Sequence, residues 1–181
     1  MPNPDRPWSV PVRLDDVPED GLVVSLSADS PVREAIARRG GLTGLPRLDA
    51  RFEVTRRGSG LHVGGTVSAT AGQTCVVTLE PMESAIEEEV DLLFTPDAPE
   101  EEPGPPRDPE AEDPPERLVG GTVDLGAIAT EFVLLGIDPY PRKPGATFGT
   151  VETGPRDPGP FAALAALKEK GGAGGGSDGG G

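Results

Sequence analysis

Few side chains in this 181-residue chain are equipped for chemistry, and the cysteine and histidine counts are one each. Cys75 stands in Thr-Cys-Val-Val-Thr-Leu-Glu-Pro, residues 74–81. A thiolate nucleophile needs a basic neighbour or a helix N-terminus to lower its pKa. The charges nearest to Cys75 in sequence are acidic and would raise it, so the residue reads as a small buried apolar group on a strand. His62, at the start of a strand, could act as a general base only with an oriented partner, which the sequence does not mark. One Cys and one His are too few for a zinc site, which takes about four ligands. The acidic run Glu87-Glu88-Glu89-Val90-Asp91 lacks the glycine turn of a calcium loop. Neither a Walker loop nor a Gly-x-Gly-x-x-Gly between strand and helix is present. The expectation is no catalytic residue, no metal site, no cofactor and no enzyme.

Two groups remain for recognition. Between Glu80 and Asp91 the chain carries acids but no Lys or Arg. Strand alternation places Glu87, Glu89 and Asp91 on one face. That face is either a solvated surface that discourages edge pairing or a contact for a basic partner. The second group is Asp138-Pro139-Tyr140-Pro141-Arg142-Lys143-Pro144-Gly145. Proline stiffens it, so Tyr140 could anchor a partner, with Asp138, Arg142 and Lys143 beside it, at low entropic cost. It could equally be a chain reversal packed on the sheet. An aromatic with two cations would also suit structured RNA.

The whole-chain charge bears on that choice. At a formal −15, free nucleic acid is a poor partner, because phosphate binding needs clustered Lys and Arg. Acidity fits a basic partner such as a ribosomal protein. A single cysteine suits a reducing compartment. The start, MPNPDRPWSV, does not read as a secretory signal, and no apolar run is long enough to span a membrane. The expected location is the cytoplasm, with no membrane and no DNA contact.

The elements that must hold these groups read as follows. Residues 1–9 are Pro-rich and expected to fray up to Trp8. Ser9–Leu14 and Leu22–Ser27 alternate as strands. Ser30 is the expected cap of a helix over Pro31–Arg39, with Val32, Ala35 and Ile36 inward. Arg47–Arg57 and Leu61–Ala71 alternate around an Arg56–Gly60 hairpin turn. Gln73–Leu79 is expected as a further strand with Cys75, Val77 and Leu79 on one face. Ser84–Phe94 alternates again, with Glu88 the exception on its apolar face.

Thr95–Arg117 breaks the pattern: eight of its 23 residues are Pro and nine are Asp or Glu. It cannot bury enough surface to offset its ordering entropy and reads as a disordered acidic insertion. Asp124 then caps a helix whose stripe is Leu125, Ile128, Ala129, Phe132 and Leu135. Pro160–Lys170 reads as a short helix and Gly171–Gly181 as a flexible tail. The expected fold class is α+β: an antiparallel meander, open or curled into a partial barrel, packed with two or three short helices. One domain would span 10–145, with the insertion at 95–117, followed by linker, helix and tail over 146–181. The expected core is Phe52, Val54, Val63, Val67, Val77, Leu79, Ile86, Val90, Leu92, Leu125, Ile128, Phe132 and Leu135.

Thr74–Pro81 with the acidic strand to Phe94, and Asp124-Leu125-Gly126 leading to Asp138-Pro139-Tyr140-Pro141, together resemble the YceD family, also called domain of unknown function 177, in an alphaproteobacterial-like form. The resemblance covers roughly 10–145. It implies a role in accumulation or processing of large-subunit (23S) ribosomal RNA, and a link to a small basic ribosomal protein. Many family members carry Cys-x-x-Cys-Leu-Glu here. Cys75 matches the first cysteine and Thr78 stands in place of the second, which removes a two-thiol metal or redox role from this chain. The expected function is a non-enzymatic biogenesis factor that binds a basic ribosomal protein or a pre-large-subunit particle. The alternatives are an RNA-processing nuclease and a direct RNA-binding chaperone.

Overall fold

The long strands form because apolar residues alternate with polar ones over unusually long runs, and the turns between them are short. In a computed structural model, which describes residues 6–98 and 114–147, the main sheet has five strands in the order β2-β3-β4-β5-β6. These are β2 (Leu22–Ser27), β3 (Gly44–Arg57), β4 (Gly60–Thr74), β5 (Pro81–Thr95) and β6 (Glu116–Arg117). The β2-to-β5 pairings are antiparallel, whereas β6 runs parallel to the end of β5. The sheet is open, with β2 at one edge and β6 at the other, so the partial-barrel option falls away. A separate two-stranded ribbon pairs β1 (Pro11–Arg13) with β7 (Thr122–Asp124).

One face of the sheet is apolar and covered, and the other is polar and open, as antiparallel sheets permit. On β3, Leu48, Ala50, Phe52 and Val54 are buried, while Arg51 and Glu53 between them are exposed. Val63, Val67 and Ala69 of β4 and Ile86, Val90 and Phe94 of β5 continue the same core. Gly65 sits within it opposite Phe52 and Val90. A Cβ there would run into the Arg51 carbonyl oxygen and lie 2.9 Å from Phe52 Cα, so glycine lets the central strands approach.

Helix α1 (Ser30–Arg39) packs mainly on β3. Its cap is Asp29, whose carboxylate accepts from Val32 N at 3.0 Å, rather than the expected Ser30. Ser30 is already helical and its hydroxyl turns to Glu34 instead. Ile36 and Ala37 carry the burial. Helix α2 (Leu125–Leu135) contacts β4, β5 and β1. Asp124 caps it as expected, accepting from Gly126 N and Ala127 N. The same carboxylate also accepts from Val10 N at 2.8 Å and Ser9 Oγ at 2.7 Å.

Several expectations fail for identifiable reasons. Trp8 is not frayed: it is 8% exposed and part of the core, because Ser9 and Val10 are held by Asp124. The first strand joins β7, not the meander. The largest difference is at residues 73–79. β4 runs on to Thr74, β5 begins at Pro81, and 75–80 is the loop between them. A hairpin needs its turn somewhere, and Pro, which cannot donate to a ladder, marks the start of the new strand. Leu79, expected in the core, is therefore 77% exposed, and Val77 is only half-buried. Leu135, also expected inside, is 73% exposed at the end of α2, and Val133 is buried instead. Residues 99–113, most of the acidic insertion, and 148–181, with the expected short helix and tail, lie outside the described residues. The insertion's two ends belong to the sheet: Thr95 closes β5 and Glu116–Arg117 form β6.

Candidate functional site

The loop between β4 and β5 is closed by its own backbone. Cys75 N donates to Glu80 O, and Leu79 N donates to Cys75 O, both at 2.9 Å. This tight closure places Leu79 in the left-handed region, with φ at 59°. A leucine there costs of order 1 kcal/mol relative to glycine. Cys75 is fully buried at the centre.

The Asp138–Lys143 segment wraps against this loop. Val76 N donates to Pro141 O at 2.9 Å. Gln73 Nε2 donates to Asp138 O at 2.7 Å. Lys143 N donates to Cys75 Sγ at 3.4 Å, and Lys143 Nζ pairs with Glu80 Oε2 at 2.9 Å. Asp138 in turn accepts from Tyr140 N, which sets the bend between the two prolines. The packed-reversal reading of this segment thus describes its backbone. Tyr140 nevertheless stands out at 71% exposed, and Arg142 is also exposed.

Cys75 is consequently neither a strand residue nor a thiol with a raised pKa. Its pKa falls from 9.0 to about 6, first because Lys143 N–H points at the sulfur and then because Thr78 does so. Donors aimed at sulfur favour the thiolate, and these outweigh the acids near it in sequence. The Lys143 ammonium likewise holds the Glu80 carboxyl below its usual value. The sequence offered no direct sign of the Lys143–Cys75 contact, which joins positions 68 apart. Pro81 was the available signal that a loop precedes it.

The other expected contact group lies elsewhere. Glu87, Glu89 and Asp91 are exposed on the open face of β5, opposite Ser68, Thr66 and Gly64 of β4. Asp91 Oδ1 meets His62 Nε2 at 2.5 Å. Glu87 and Glu89 form no ion pair among the described residues. Their β4 neighbours are small and neutral, so the acids rise beside a shallow floor. Glu88, on the covered face, is half-buried beside Gly136 at the end of α2. The seven expected contact residues therefore form two groups, one on the sheet face and one on the loop knot, joined in sequence through Glu80 and Pro81. Among the described residues no three His, Cys, Asp or Glu side chains converge as a metal site, and no helix is long and apolar enough to cross a membrane.

An open α+β sheet with an acidic face and a sulfur-centred loop knot brings both motif stretches into one structure. The family comparison gives it a place. The model of the "Large ribosomal RNA subunit accumulation protein YceD" family matches residues 63–168, more than half of the chain, and the chain belongs to that family. The match takes in both the loop knot and the acidic strand. No curated protein and no solved structure matches it.

Proposed function

We propose that this chain supports accumulation of large-subunit ribosomal RNA by binding rather than catalysis, holding a basic ribosomal protein or an assembling large-subunit particle through the acidic face of β5. The family description names large-subunit RNA accumulation. The observation that carries the finer reading is the row of Glu87, Glu89 and Asp91, exposed and with Glu87 and Glu89 unneutralised among the described residues. In a chain of net charge −15 such a row attracts cationic segments at long range and weakens with salt. It would shield Lys/Arg-rich extensions from premature contact with RNA. Work on the ribosome would place the protein in the cytoplasm.

Direct RNA contact through Tyr140, Arg142 and Lys143 is the weaker reading, since Lys143 is engaged by Glu80. A nuclease reading has less support still: Asp91 gives His62 the oriented partner a base needs, but among the described residues no cluster of His, Cys, Asp or Glu converges there to hold a metal. The test is removal of the protein from its host, with 23S RNA and subunit profiles read under slow and fast growth. Reduced large-subunit RNA is expected, and unchanged levels in both regimes would refute the role. Binding of purified large-subunit proteins and of protein-free ribosomal RNA, each across a salt series, separates the partners.

A further inference from the structure

The two sides of β5 are unequally occupied. β4 pairs with it from Pro81 to Phe94 without a register shift. On the other side, β6 covers only Phe94 and Thr95. Among the described residues, the outer edge from Pro81 to Leu93 has no strand beside it. At roughly 3.3 Å per residue that is about 40 Å of free edge. Its outward N–H and C=O groups are a template for another strand. Natural edges are commonly blunted by shortness, bulges, proline or charged side chains, inward-pointing ones included. This one is long and unbulged, its only proline is its first residue, and it has no Lys or Arg.

Its side chains restrict what can join it. On the open face the edge presents Glu83, Glu87, Glu89 and Asp91. On the covered face it presents Ile86, Val90 and the half-buried Leu92, with the half-buried Glu88 interrupting that apolar row. A second copy of β5 would set carboxylates opposite carboxylates, which is destabilising across strands. An extended segment with Lys or Arg at every second residue would set cations there instead. Its intervening residues would fall beside the apolar row.

We infer that the free edge of β5 takes up an extended basic segment of a partner protein as an added strand, with alternate Lys or Arg facing Glu87, Glu89 and Asp91. This rests on the reading that the partner is basic, and it supplies the backbone recognition that charge alone lacks. Strand addition draws affinity from main-chain hydrogen bonds and specificity from alternate side chains.

The test uses the full chain and two synthetic peptides of one composition. One alternates Lys and Val; the other groups its lysines into one block and its valines into another. Affinity is read by titration at several salt concentrations, and amide hydrogen exchange is read along β5. The alternating peptide should bind about tenfold tighter, as a few opposite-charge cross-strand pairs would give. It should also slow exchange of amides between Pro81 and Leu93. Glu87→Lys with Glu89→Lys should abolish that preference, while near-native exchange in β3 and β4 shows the variant is folded. Equal affinity for the two peptides without new protection in β5 would overturn the added strand, yet leave charge-driven binding standing. Outward β5 amides already protected in the free chain would also overturn it, by showing the edge occupied by the chain itself or a second copy. If neither peptide nor purified large-subunit proteins bind, the basic-partner reading fails with it.

Discussion

At the residue scale, Cys75 changes role most. It holds two chain segments together by accepting hydrogen bonds from Thr78 N and Lys143 N. Replacement by Ala removes the acceptor and leaves those amides unsatisfied, so the cost exceeds that of a lost apolar contact. Cys75→Ala should lower the melting temperature and speed amide exchange in 138–143, with the rest of the sheet unchanged. The thiol adds a pH dependence. Its folded pKa of about 6 lies below the ordinary 9.0, so the folded state sheds the proton first. That contribution is complete above 9.0 and disappears as pH falls through about 6. Urea unfolding should show the wild type gaining on Cys75→Ala as pH rises across this window; parallel curves would contradict it. Gly65 supplies a steric counterpart. Gly65→Ala forces a Cβ onto the Arg51 carbonyl and should cost about 1–3 kcal/mol, measured by the same unfolding.

At the element scale, Asp124 joins three elements through one carboxylate. It caps α2 and fixes the approach of Ser9 and Val10 to β7. Asp124→Ala should cost about 1–2 kcal/mol from the cap alone, and more from the freed ribbon. Asp124→Asn, which keeps an acceptor oxygen, should recover part of it. Trp8 fluorescence reports whether the ribbon has loosened. This level was largely legible in the sequence: period-2 runs placed β2, β3, β4 and β5, and Asp124 followed by a 3.6-residue stripe placed α2. What escaped was decided by distant neighbours. β6 is two residues long and exists because it lies beside the end of β5. Cys75, Val77 and Leu79 share a strand-like spacing, but the chain must turn there, and the turn overrides the pattern.

At the scale of the whole molecule, charge dominates. Binding of purified large-subunit proteins should weaken steeply with salt. Replacing Glu87, Glu89 and Asp91 by their amides should lower the affinity and flatten that dependence; an unchanged slope would move the contact off this face. The acidic row was visible in the sequence because alternation alone orients it. The knot was not: its parts, Thr74–Pro81 and Asp138–Gly145, each stand out in the sequence, but their contact depends on α2 bringing the second back to the first. Leu79 and Tyr140, both largely exposed, are features only the folded chain displays.

The β1–β7 ribbon has a consequence for how the protein is born. Val10 meets Asp124 across 114 positions of sequence. Translation at about 5–20 residues per second leaves roughly 6–23 s between the emergence of the two. Through that interval Trp8 and the first strand lack their partner, while the β2–β5 hairpins can already close. The segment from Trp8 through β1 is therefore secured only after the β2–β5 sheet can form, and a stalled or truncated translation product ending before Asp124 would leave the ribosome with that strand unpaired.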